Sequence, residues 1–192
     1  QMARGFIIGA TAGRTTLTKA RADLTLDLCG IAKGWALDRA ADLAAEAGIA
    51  DALLDLGGEF AALGGHPGGR DWRVAVEHPL AGRPPPVALR LPSGRAVATS
   101  GTRAQSYRLN GRLYSHVIDP GRGAPTGGMP RSVTVAAADA MTADAWATAL
   151  LAAGDRTGPT LAQARSIDAL FLHETDGGLR QIRTGAISDF IL

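Results

Sequence analysis

Apolar and polar positions along this chain change period repeatedly, and each change marks the edge of an element. Short apolar or alternating runs at 6–8, 15–19 and 24–28, separated by glycine and polar residues, predict three strands. From Ile31 the spacing becomes helical and runs to about Ala47, where Gly48 supplies a C-terminal stop. On that helix Ile31 and Trp35, four apart, are expected to pack inward, with Arg39, Asp42 and Glu46 in water. Strands at 52–56 and 59–63 flank Gly57-Gly58, and 64–70 reads as a turn. Alternation over 72–77 predicts a half-buried strand, whereas the three consecutive prolines inside 79–86 exclude a central one. Strands at 87–91 and 96–99 precede a hairpin turning at Asn110-Gly111, with its return strand at 113–118. A glycine- and proline-rich loop at 121–130 leads to a strand at 132–138. A helix follows at 142–153, capped by Thr142 and stopped by Gly154. A short helix near 161–165, a strand at 169–173 and a final hairpin complete the chain. The succession predicts an α+β (mixed α/β) fold, a single domain over 1–192 with a mostly antiparallel sheet and a few helices.

Composition narrows the class of protein. The 192 residues are 46% hydrophobic and 20% charged, without a low-complexity run, as in a globular domain. A net charge of +2 with no block of Lys or Arg leaves no nucleic-acid face. Cys29 is the single cysteine, which excludes an internal disulfide and a cysteine-rich zinc site. No apolar stretch approaches the ~20 residues that span a bilayer, and the start lacks the pattern of a signal peptide. The chain opens on Gln1 rather than methionine, so a segment ahead of it is expected to have been removed or left out.

Candidate chemistry collects at a few turns. In Asp27-Leu-Cys-Gly-Ile-Ala-Lys33 a strand end, a Gly30 turn and a helix start coincide, an arrangement whose free amides suit a phosphate. Lys33 is one of only two lysines among 20 basic residues, and it fits either a phosphate contact or a solvated corner. Asp55-Leu-Gly-Gly-Glu59 and Ala98-Thr-Ser100-Gly are strand ends where another group can approach, or ordinary turns. Tyr114-Ser-His116-Val-Ile118-Asp-Pro puts His116 and Ile118 on one strand face and Ser115 on the other. His116 there reads as a general base or as a satisfied strand residue, whereas His66, His78 and His173 read as structural or surface residues. Asp144 and Thr148, i and i+4 on one helical face, form an oxygen pair suited to Mg²⁺ or an ordinary helix-terminal arrangement. Neither a P-loop nor a dinucleotide fingerprint is present.

Taken in order, DLCGIAKGWALDRA, DLGGEF, ATSG, YSHVIDP and SVTVAAADAMTADAWATAL resemble the ApbE family, the FAD:protein FMN transferases. The resemblance implies a T-fold-like domain and Mg²⁺-dependent transfer of FMN from FAD to a threonine hydroxyl of an acceptor protein, with release of AMP. By the same resemblance Asp27, Lys33, Glu59, Ser100, His116 and Ile118 would contact FAD. Gly30 through its carbonyl, with Asp144 and Thr148, would hold the metal, and His116 would deprotonate the threonine. Subunits of membrane-associated redox complexes are the implied acceptors, and a periplasmic or exported bacterial location is implied. Two features depart from the family pattern: Cys29 replaces a commonly smaller residue, and only 26 residues precede Asp27. The short front keeps two alternatives in view, an FAD pyrophosphatase using water as acceptor and an FAD-holding module without turnover.

Overall fold

The computed structural model describes residues 5–11, 13–103, 106–127 and 131–192. The first strands, β1 (Phe6–Thr11) and β2 (Arg14–Lys19), form an antiparallel hairpin whose β2 side chains all face water. Residues 24–28, expected as a strand, run without a ladder partner among the described residues, with Leu26 and Leu28 exposed. Composition predisposes a chain to extend, but only a neighbouring edge makes it a strand.

Helix α1 (Ala32–Glu46) ends where expected, and Gly48 takes a φ of 80°. Its buried face differs from the expected one. Trp35 is 57% exposed, and Gly34 and Leu37 are the buried residues. The reason is a close helix crossing: a Cβ at Gly34 would lie 2.3 Å from the carbonyl oxygen of Ala140. The smallest side chain faces the neighbour, which turns the indole outward. An alanine-rich helix presents apolar residues on several faces, so periodicity alone could not choose among them.

The central sheet combines β3 (Ala52–Leu56) and β4 (Glu59–Leu63) with later strands. A separate hairpin, β5 (Trp72–Val76) with β6 (Val87–Leu91), is followed by β7 (Ala96–Gly101). Next come β8 (Tyr107–Leu109), β9 (Arg112–Asp119) and β10 (Ala124–Gly127), in the order β10-β9-β8. The β8–β9 turn holds Asn110 and Gly111 at positive φ, as its sequence demands. Strand β10 corrects the expected loop at 121–130: Pro125, which cannot donate a ladder hydrogen bond, is accommodated on an edge strand. Residues 128–130 of that loop lie outside the described residues.

Strand β11 (Arg131–Ala137) leads to α2 (Ala140–Ala152), α3 (Gly154–Ala164), β12 (Asp168–Thr175) and β13 (Gly178–Thr184), then a 3-10 turn, Ile187–Phe190. The N-cap of α2 is Asp139, not Thr142: its carboxylate accepts the Thr142 amide at 2.7 Å and the Thr142 hydroxyl at 2.9 Å. Helix α3 is longer than the expected 161–165, with Pro159 inside it.

The six strands run in the order β13-β12-β11-β7-β4-β3, every neighbouring pair antiparallel. Alternate residues face two different covers. Ala98, Val133, Val135, Ala169 and Phe171 pack under α2 and α3, whereas Val97, Ala136, Leu170 and Leu172 pack against β5, β6 and the 3-10 turn. Both faces of β11 are covered, so its polar Ser132 and Thr134 are buried along with Val133 and Val135.

Two carboxylates cross-cap the paired helices. Asp38 of α1 accepts the first amides of α2, from Ala140 at 2.7 Å and Met141 at 2.9 Å. In return, Asp144 of α2 accepts the Gly34 amide in the first turn of α1 at 3.0 Å. Helix starts carry unsatisfied donors, so each helix completes the other.

Candidate active site

The cross-capped helix pair brings the sequence candidates together. Asp144 is 2% exposed, and its position is set by the α1 amide that it accepts. One turn later Thr148 Oγ1 lies 2.9 Å from Ser100 Oγ at the end of β7. The turn before α1 meets the same spot: a Cβ at Gly30 would sit 2.9 Å from Thr148 Cγ2 and 3.2 Å from its Oγ1. Glycine there lets the backbone lie against the threonine. Gly30, Ser100, Asp144 and Thr148, from three separate stretches of sequence, therefore converge.

Lys33 and Glu59 form the adjoining wall. Lys33 Nζ lies 2.5 Å from Glu59 Oε1, with the lysine half-exposed and Glu59 only 1% exposed. Burial pushes the Glu59 carboxyl above its ordinary value; Lys33 opposes this, and the charge of Asp144 adds to it. Glu59 Oε2 is buried without a hydrogen-bond partner among the described residues. An orphaned buried carboxylate oxygen is costly unless a ligand completes it.

Asp27 has a more local part. Its Oδ1 accepts the Cys29 amide at 2.8 Å, shaping the turn, and that bond holds its carboxyl below the usual value. The same carboxylate pushes the Cys29 thiol up, which disfavours the thiolate. His116 and Ile118 project together from β9 into solvent, whereas Ser115 on the other side is buried, as alternation required. No hydrogen bond or ion pair ties His116 to the Asp144 cluster among the described residues. Of the other histidines, His66 stands edge-on to Trp72, His78 accepts the Leu80 amide, and His173 is buried on β12.

The donor set fits a hard cation. The Asp144 carboxylate and the Thr148 and Ser100 hydroxyls offer only oxygen, as Mg²⁺ prefers when water and phosphate complete its shell. No group of three His, Cys, Asp or Glu side chains that could hold a metal ion occurs among the described residues.

The pattern of the ApbE family matches residues 4–171. This chain belongs to the ApbE family. It is 35% identical to the FAD:protein FMN transferase of Vibrio cholerae over 176 residues, 92% of this chain and 53% of that protein. To the enzyme of that name from Rhodobacter capsulatus it is 40% identical over 167 residues, 86% of this chain and 31% of the relative. Among solved structures, the apo flavinyl transferase ApbE of Pseudomonas stutzeri superposes with a TM-score of 0.81 at 33% identity, covering 95% of this chain and 56% of that one. The flavin transferase ApbE of Vibrio cholerae gives 0.77 at 32%, covering 95% and 57%. The ApbE fold is thus shared, and the chain spans about half the length of the curated relatives it matches.

Sequence reasoning missed Asp38 and the role of the Gly34 amide. An acid four residues after a glycine on an alanine-rich helix looks like a solvated side chain. Its contact with α2 is separated from it by more than a hundred positions, so no local pattern announces it.

Proposed function

We propose that this chain carries the phosphate- and metal-binding core of an FAD:protein FMN transferase. The observation that carries the reading is the convergence of Gly30, Ser100, Asp144 and Thr148 beside the Lys33–Glu59 pair. In such a site FAD is the donor substrate and a protein threonine the acceptor. Asp144, Thr148 and the Gly30 carbonyl would hold Mg²⁺, which would supply charge neutralisation at the pyrophosphate. Lys33 faces the half-open side and offers an ammonium to a phosphate oxygen, while Glu59 keeps that ammonium in place. Asp27 fixes the turn that presents the Gly30 carbonyl, and Ile118 gives an apolar contact next to His116. The exposed His116 takes the threonine proton as the Oγ–P bond forms and the bridging P–O bond to AMP breaks.

The acceptors we favour are subunits of membrane-associated redox complexes, and the compartment is the periplasm or another exported location. Both extend from the ApbE resemblance. No helix among the described residues is long and apolar enough to cross a membrane.

The deciding experiment incubates the protein with FAD, Mg²⁺ and an acceptor, and follows FMN-labelled acceptor by mass spectrometry and free FMN by chromatography. Wild type is expected to label the acceptor, and His116→Ala to lower labelling by roughly 10²–10⁴-fold with FAD binding little changed. Free FMN without labelled acceptor would replace the reading with pyrophosphatase activity. FAD binding with neither product would reduce it to a binding module.

A further inference from the structure

The two hydroxyls beside Asp144 are not equivalent. Thr148 follows Asp144 by one turn of α2, so the two share a helical face. Ser100 stands across from it on β7, with the two side-chain oxygens 2.9 Å apart and either able to donate. Along β7, Ala98 and Ser100 alternate toward α2, so the apolar floor to which Ala98 belongs ends in a hydroxyl at the end of the strand.

A threonine inside a helix ordinarily turns its O–H back to the carbonyl four residues earlier. Thr160 in α3 does so, donating to the Arg156 carbonyl at 3.1 Å. The Thr148 hydroxyl does not: its one hydrogen bond among the described residues is the bond to Ser100. Its oxygen also faces the turn before α1, where a Cβ at Gly30 would lie 3.2 Å away, so no side chain of that turn covers it. A hydroxyl has one proton and two lone pairs. When its oxygen binds a cation, the proton must point away from the charge, and the charge makes that proton a stronger donor. It then needs an acceptor close by.

We propose that Ser100 is a positioning residue of the cation site: its Oγ accepts the Thr148 proton and so holds a Thr148 lone pair toward the cation. The proposal rests on the reading of Asp144, Thr148 and the Gly30 carbonyl as the Mg²⁺ ligands. Of the two directions open to the Ser100–Thr148 hydrogen bond, cation binding selects the one in which Thr148 donates and Ser100 accepts. Groups that hydrogen-bond to a metal ligand fix its orientation, and losing one typically costs ~10–100-fold in metal affinity. A bond that merely tied β7 to α2 would instead contribute to stability and leave cation affinity alone.

The test measures binding of Mn²⁺, a paramagnetic probe of hard-cation sites, to the full chain without FAD, reading free Mn²⁺ by electron paramagnetic resonance. Ser100→Ala is expected to weaken binding about tenfold. Thr148→Val should weaken it at least as much, and the double variant no more than Thr148→Val alone, because Ser100 acts through Thr148. Equal affinity in Ser100→Ala, even with a lowered unfolding midpoint, would overturn the proposal. So would a larger loss in Ser100→Ala than in Thr148→Val, or a further loss in the double variant, either of which would make Ser100 a ligand in its own right. Where Thr148→Val leaves no measurable binding, a smaller loss in Ser100→Ala supports the proposal and an equally complete one overturns it. Ser100→Cys, close in size and with a weakly accepting sulfur, replaces Ser100→Ala if that variant does not fold. Asp144→Asn separates this proposal from the reading beneath it. Wild-type affinity in Asp144→Asn, or no saturable Mn²⁺ binding by wild type, would remove the cation site and the proposal together. Loss in Asp144→Asn with none in Ser100→Ala would remove the proposal alone.

Discussion

Two acids with similar local sequence have unlike tasks here. Asp139 caps its own helix, whereas Asp144 caps a different one and joins a cluster of oxygens. Asp144→Asn retains an acceptor for the Gly34 amide and removes the charge. It is expected to keep the unfolding midpoint within the scatter of wild type while losing the response of FMN transfer to added Mg²⁺. Parallel thermal melts and labelling assays check both halves. His173 gives a pH signature. Burial holds its imidazole below the ordinary value; Asp155 opposes this, and Arg131 and Arg180 reinforce it. As pH falls through about 6.5 the unfolded chain takes up the proton first. Stability present at neutral pH is therefore lost from there down to the depressed folded value, and is level below it. Denaturant midpoints measured from pH 7.5 downward should show this slope in wild type and a flatter profile in His173→Gln.

The α1–α2 pair is the element on which the candidate site depends. Its crossing is set by Gly34 against Ala140 and locked by two reciprocal caps. Gly34→Ala forces a Cβ into backbone, which cannot move aside as a side-chain tip can. A loss of about 1–3 kcal/mol in chemical denaturation is expected, together with weaker FAD binding. Asp38→Ala removes acceptors for two helix-start amides and should cost about 0.5–2 kcal/mol by the same measurement. The variant keeps every proposed metal and FAD contact. Full stability in Asp38→Ala would show that the cross-cap contributes nothing.

Across the whole molecule, burial is uneven. The central sheet is covered on both faces, whereas in the β1–β2 hairpin Ile8 is 77% exposed and every β2 side chain faces water. Amide hydrogen exchange should be slowest in β11 and β12 and fastest in β1 and β2, with β8 to β10 between them. Uniform protection by mass spectrometry would contradict that order. The same unevenness explains what was legible beforehand. Strand positions from 52 onward other than β10, the Asn110-Gly111 hairpin, the Gly48 stop and the shared face of Asp144 and Thr148 follow from local sterics, which act over a few residues. The outward Trp35, the 24–28 segment without a ladder partner among the described residues, the Pro125 strand and the Asp139 cap all depended on which neighbour came within reach. By itself the sequence determined the α+β alternation, the oxygen-rich residue types and the ordered ApbE blocks. Tertiary structure alone decided that Gly30, Ser100 and Thr148 touch, that Asp38 and Asp144 exchange caps, and that His173 lies buried between two arginine-bearing strands. Those contacts join positions tens to more than a hundred residues apart, and their energies arise only once packing has excluded water.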